Sequence, residues 1–208
     1  MAFTLETYAL TQVNDVKSII DIASGTTTWD QTFIELINGA TIYIERYCGG
    51  RRFATATYTN ETYDCEFEDD DDGRQKWLFL KNWPVTAFTT IEYRSGTTTY
   101  ASYDSTAYET YTDNGSIYFY GGITKGRKTV RVTYTAGYTI NWTTQASHTL
   151  PHDITMACRS LVLAAFNKRK SQGIESESVG GASINWGDLL EADPVTKAIL
   201  DGYRRNFL

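Results

Sequence analysis

Proline is scarce in this chain: three in 208 residues, with no low-complexity tail. Nothing in that composition resembles a Pro-rich or Gly/Ser-rich linker, so the chain reads as ordered nearly throughout. Cysteine is scarce too, at three residues, and the count is odd. Cys48, Cys65 and Cys158 lie far apart and no C-x-x-C occurs. That excludes a disulfide framework and reads as reduced thiols in a cytosolic protein. The start, Met1-Ala2-Phe3-Thr4-Leu5-Glu6, lacks the basic and apolar regions of a signal peptide. No apolar run approaches the ~20 residues that span a bilayer, so no membrane role is expected. Only two histidines occur, and neither G-x-S-x-G nor H-E-x-x-H is present, so no enzyme class finds support.

Positive charge is also short: 19 Lys and Arg against 25 Asp and Glu leave a net charge of -6. A protein that wraps nucleic acid needs clustered cations to neutralise phosphates, and this balance argues against one. It is compatible with a channel past which DNA slides without sticking, because fields of like sign repel. What the chain does have is tyrosine. Fifteen Tyr bring the aromatic content to 14%, and Tyr with Thr suits half-exposed strands better than a large aliphatic core.

The hydrophobic period divides the chain. From Thr11 to Ile22, Val13, Val16, Ile19 and Ile20 share a helical face. Thr28-x-x-Gln31 has the form of a capping box, followed by Phe33, Ile37, Ala40, Ile44 and Tyr47 at helical spacing, and Cys48-Gly49-Gly50 ends that helix. From Arg52 the period becomes two. Tyr63, Cys65 and Phe67 alternate with polar residues, as do Val130, Val132 and Tyr134. Trp77-Leu78-Phe79-Leu80 reads as a short, continuously apolar strand, and Ser95-Gly96, Asn114-Gly115 and Gly121-Gly122 as turns. Leu150-Pro151-His152-Asp153 opens a third helix with the stripe Ile154, Cys158, Leu161 and Ala165, closed by Lys168-Arg169-Lys170. Ser171 to Gly187 reads as an ordered loop or short hairpin, and Asp193-Pro194 starts a last helix carrying Val195, Ile199 and Tyr203.

The expected fold class is therefore α+β. Helices near 11–22, 30–48, 151–170 and 194–203 form one small bundle (residues 1–51 and 150–208, with a C-terminal tail). An antiparallel β module over 52–149 is inserted between them. Neither helical flank can bury its apolar stripe alone.

Three chemical readings fail on their own requirements. With Gly73 as the sixth position of a calcium loop in Glu66–Gly73, the twelfth is Phe79, which cannot ligate. Gly121 to Lys128 lacks the Gly-Lys-Ser/Thr of a phosphate loop and sits between strands, so it reads as a hairpin turn. His148 and His152 flank Pro151 with no carboxylate or thiol at ligand spacing. No metal or cofactor is expected. Aromatic faces in the β region could stack on sugars, which leaves a glycan-binding module as an alternative.

Four stretches, in order, resemble the head–tail connector (adaptor, or head-completion) family of long-tailed bacteriophages. They are Phe33–Ala40 through Ile44–Phe53; Leu78-Phe79-Leu80-Lys81-Asn82-Trp83-Pro84-Val85; Val130–Tyr138; and Leu150–Ile154 with Ala157-Cys158 and Gly173–Gly180. The stretch from Thr86 to Lys128 is less characteristic of the family. The resemblance implies a virion structural protein of the neck, made in the host cytoplasm and without catalytic residues. It implies a ring, in the form of a dodecamer, docked beneath the portal protein and leading to a stopper or tail-terminator protein. DNA would pass through without specific binding. A neighbouring tail-completion or stopper protein is the alternative, though such proteins tend to be mainly β. In this frame Tyr203, Arg204, Arg205, Phe207 and Leu208 are candidates for portal docking, because aromatic and Arg residues anchor interfaces. Arg51 and Arg52 are expected to pair locally or to face neighbouring subunits.

Overall fold

The computed structural model describes residues 3–66, 74–171 and 185–205. Five α-helices and seven strands occur among them, in the order α1 (Val13–Ile19), α2 (Asp30–Tyr47), β1 (Ala56–Cys65), β2 (Gln75–Phe79), β3 (Val85–Arg94), β4 (Tyr100–Ser102), β5 (Tyr108–Tyr111), β6 (Ser116–Ile123), β7 (Gly126–Ala136), α3 (His152–Ser171), α4 (Trp186–Glu191) and α5 (Pro194–Gly202). The fold is α+β. The chain divides into a helical unit, 1–51 with 139–208, and a β unit, 52–138. Residues 139–149, grouped with the β module from sequence, belong with the helices. There Thr139 and Thr149 close a loop on each other, and a 3₁₀ turn covers Gln145–Ser147.

In the helical unit α3 touches each of the other four helices. Its apolar stripe is buried: Ile154, Ala157, Cys158, Leu161, Val162, Ala165 and Phe166. The Phe166 ring packs on Phe33 at 4.8 Å and on Trp29 at 5.7 Å. Burial of each such side chain contributes about 1.5–3 kcal/mol. α2 ends as its glycines require. Gly50 N donates to Glu45 O and Gly49 N to Arg46 O, with φ of 77° and 87°, the bonding of a Schellman cap.

Three helical details depart from the sequence reading. α1 is shorter than 11–22; it stops where Asp21 takes φ 55° and Ile22 N reaches back to Lys17 O. Its inward face holds Val16 and Lys17, while Ile19 is exposed. Lys17 can face inward because its Nζ meets Asp30 Oδ1 at 2.5 Å and donates to Ser24 O at 3.2 Å. The capping box does not form, since no side chain caps α2 at Trp29. Gln31 Oε1 instead accepts from Phe3 N at 2.6 Å, satisfying a donor of the extended N-terminal segment. Finally, α4 was read as loop. Residues 172–184 of that stretch lie outside the described residues, but Asn185 caps a real helix through Gly187 N.

The β unit is two antiparallel sheets, ordered β1-β7-β3-β4 and β2-β6-β5. They enclose one core, with Val130, Val132, Tyr134 and Ala136 of β7, Leu78 of β2, and Ile117 and Phe119 of β6. The alternation along β7 is the inward face of a strand paired on both sides. Tyr63 and Tyr134 carry hydroxyls into this core, and both donate to Glu61 Oε2 at 2.5 Å. Burial holds both phenols well above their ordinary range, so they stay protonated donors. Two expectations are corrected. Gly121-Gly122 is not a turn but a bulge within β6, where the register against β2 shifts between Gln75 and Trp77. Trp77–Leu80 is not buried on both faces; Leu78 and Leu80 point inward while Trp77 and Phe79 lie at the surface.

Cys48, Cys65 and Cys158 are buried, unpaired thiols. Burial pushes Cys48 and Cys158 up to about 12, and raises Cys65 as well. A thiol reagent at pH 8 is therefore expected to label none of the three in the native protein and all three after unfolding, because the thiolate is the reactive form. Rapid labelling without denaturant would contradict this packing.

Candidate functional site

The residues singled out for docking gather where α2 ends, α3 begins and α5 ends. α5 is set by its N-terminus. Asp193 accepts from Thr196 N at 3.1 Å and from Thr196 Oγ1 at 2.6 Å, with Pro194 in the first turn. Those two bonds hold the Asp193 carboxyl below its usual range. α5 then buries Thr196 and Leu200 and delivers Tyr203 to the start of α3. The Tyr203 hydroxyl donates to the Asp153 carboxylate, at 2.8 and 3.0 Å from its two oxygens.

Tyr203 is thus tied to its own unit. Arg51 stands 5.9 Å from its ring centroid and is fully buried, so this guanidinium stays inside the helical unit. Arg52 is exposed, and its backbone N donates to Asn82 Oδ1 in the β unit. Arg204 lies 5.0 Å over the Tyr47 ring and 3.6 Å from Asp201, and its side chain is half exposed. Tyr47 in turn donates to Asp201 Oδ1 at 2.6 Å. Desolvation, then the bond to Asp201, raises its phenol. Arg205 is half-buried. Phe207 and Leu208 lie outside the described residues. The structure therefore brings Tyr203, Arg204 and Arg51 together and presents Arg204 as the exposed cation. The long-range partner Asp153 escaped sequence reading, since it was assigned only to the opening of a helix.

A second feature was missed. On the outer face of the β2-β6-β5 sheet, Trp77 stands opposite Tyr118, and Tyr118 opposite Glu109. One register step along, Phe79 and Tyr111 flank Ser116. The Trp77 ring lies 4.9 Å from Tyr118, 5.4 Å from Tyr111 and 6.2 Å from Phe79, and Tyr118 lies 5.6 Å from Tyr120. The available signal was the alternation Ile117-Tyr118-Phe119-Tyr120, which sends both Tyr to one face.

The rejected chemistries stay without support. Among the described residues no group of three or more His, Cys, Asp or Glu could hold a metal. His148 accepts from Asn141 N through Nδ1 and packs on Trp142 at 4.6 Å, while His152 is exposed. Residues 67–73 of the acidic run lie outside the described residues. No helix is long and apolar enough to cross a membrane among the described residues.

Comparison with known proteins adds what geometry alone does not. The family model described as head completion protein matches residues 9–206. Among solved structures, the chain is similar to one titled "Neck of empty GTA particle computed with C6 symmetry", with a TM-score of 0.55 and 15% identity over 100% of this chain and 95% of that one. No curated protein sequence matches.

Proposed function

This chain belongs to the head completion protein family, and on that premise we propose that it forms a ring beneath the portal, a conduit for DNA between capsid and tail. Its role is that of a structural component of the virion, a head–tail connector. One observation carries the reading: the family match runs from residue 9 to 206, through both helical flanks and the β unit between them. A stopper would need only β structure, whereas this match requires the helices as well. The family points to a structural rather than an enzymatic role.

The partners we propose are the portal protein on one side and a stopper or tail-terminator on the other. The similar neck was computed with C6 symmetry, which is compatible with six copies or twelve; we favour twelve. The net charge of -6 supports a lumen of negative sign, past which duplex DNA moves without being held. The assembled chain is therefore expected not to retain duplex DNA in a gel-shift at low salt. Tight binding that weakens steeply with salt would require a cationic lining and would count against the conduit.

Portal docking we assign to the C-terminal residues from Arg204 onward. Tyr203 is held by Asp153 immediately before them, so they begin from a fixed point on the helical unit. Deleting 206–208 removes Phe207 and Leu208 but leaves the Tyr203 bond. The expected result is unchanged circular dichroism and a weaker attachment to portal-bearing heads by roughly thirtyfold, the loss of one aromatic anchor of about 2 kcal/mol. Truncated protein that joins heads at wild-type occupancy would place docking elsewhere.

A further inference from the structure

The aromatic face of the β2-β6-β5 sheet has no part in the docking site above. Trp77 is 36% exposed, Phe79 41%, Tyr111 38% and Tyr120 56%, and Tyr118 joins them half-buried. These rings are contiguous, as their centroid distances show. Isolated surface aromatics need no explanation, but a contiguous set rimmed by polar residues marks an interaction surface. The set is also preorganised. Each ring is braced by another, with Trp77 and Phe79 only 12° from parallel, so little side-chain freedom remains to be lost on contact.

We propose that this face is a contact between copies of the chain, occupied in the assembled ring by a second copy. The inference rests on the ring reading and goes beyond it by naming the surface. Charge selects the occupant. Copies with a net charge of -6 repel one another across most pairs of surfaces, and a like-charge juxtaposition is costly. This face escapes that penalty: Trp77, Phe79, Tyr111, Ser116, Tyr118 and Tyr120 are neutral, and Glu109 is the single charge in their register rows. In a cyclic assembly each copy meets the next through two different patches. An uncharged aromatic patch can meet a differently composed surface without needing its own mirror image.

The test uses the full-length chain as wild type, Trp77→Glu, Tyr120→Glu and Trp77→Tyr. Self-association is followed by sedimentation velocity over a concentration series, and folding by circular dichroism and thermal melting. Tyr120→Glu is the safeguard should Trp77→Glu disturb the sheet, because Tyr120 is the most exposed ring of the set. The expected result is that both glutamate variants stay folded but need about tenfold or more protein to assemble, while Trp77→Tyr assembles as wild type does. Glutamate variants that assemble at wild-type concentration overturn the proposal and leave the ring reading standing. A wild type that remains monomeric at every concentration, and also on portal-bearing heads, overturns both. Retention on a glycan array that Trp77→Glu abolishes, with assembly unaffected, overturns it in favour of a sugar ligand.

Discussion

Asp30→Ala is expected to lower the unfolding free energy by about 3 kcal/mol, the lower end of what removal of one partner from a buried ion pair costs. Lys17 is 1% exposed and Asp30 29%. With Asp30 gone, the ammonium keeps only Ser24 O, at 3.2 Å, and no water can reach it without opening α1 from α2. The partial exposure of Asp30 sets the estimate at the low end. Replacing both members, Lys17→Met with Asp30→Ala, should recover most of the loss, because the penalty belongs to the orphaned charge rather than to the missing contact. Urea unfolding of the three proteins, with equal slopes, measures it. A loss below about 1 kcal/mol for Asp30→Ala would mean that Lys17 is hydrated after all.

Gly137→Val should do more damage, with a loss of about 4 kcal/mol or more, the range reserved for named structural faults. Gly137 has φ 106°, a conformation that β-branched residues avoid. A Cβ there would lie 2.6 Å from Ala54 O, 2.8 Å from Ala54 C and 2.9 Å from Phe53 O. All three are backbone atoms and cannot swing aside. The approach is close because Tyr138 N donates to Phe53 O at 2.7 Å and Thr55 N to Tyr138 O at 2.9 Å, which ties the first and last residues of the β unit together. The substitution must break that closure. Thermal unfolding followed by tyrosine and tryptophan fluorescence is the readout; a melting temperature within about 5 °C of wild type would show that the backbone can yield.

Much of the fold could be read from side-chain period alone. Ile154, Cys158, Leu161 and Ala165 form a stripe that only a helix can bury, and Val130, Val132 and Tyr134 one that only a strand can bury. Gly49-Gly50 announced the end of α2. Where reading failed, a partner distant in sequence decided the outcome. Lys17 looks like a surface residue until Asp30 is placed beside it, and its burial turns Ile19 outward. Gln31 looks like half of a capping box until Phe3 N arrives to take its oxygen. Trp77-Leu78-Phe79-Leu80 is apolar at every position, so period cannot tell a strand buried on both faces from one with an aromatic face left at the surface. At the candidate docking site the residue types were legible, but Tyr203 finds Asp153 across 50 residues, and burial of Arg51 follows from packing that no local pattern records.

The central claim is that copies of this chain close a ring between portal and tail. A cryo-EM reconstruction of the neck of the particle that carries it tests this most directly. The account predicts a single closed layer of six or twelve copies beneath the portal, as the C6 symmetry of the similar neck allows, with DNA or an open channel on the axis. A single copy per particle, or density for this chain on the capsid surface or at the tail tip, would contradict it.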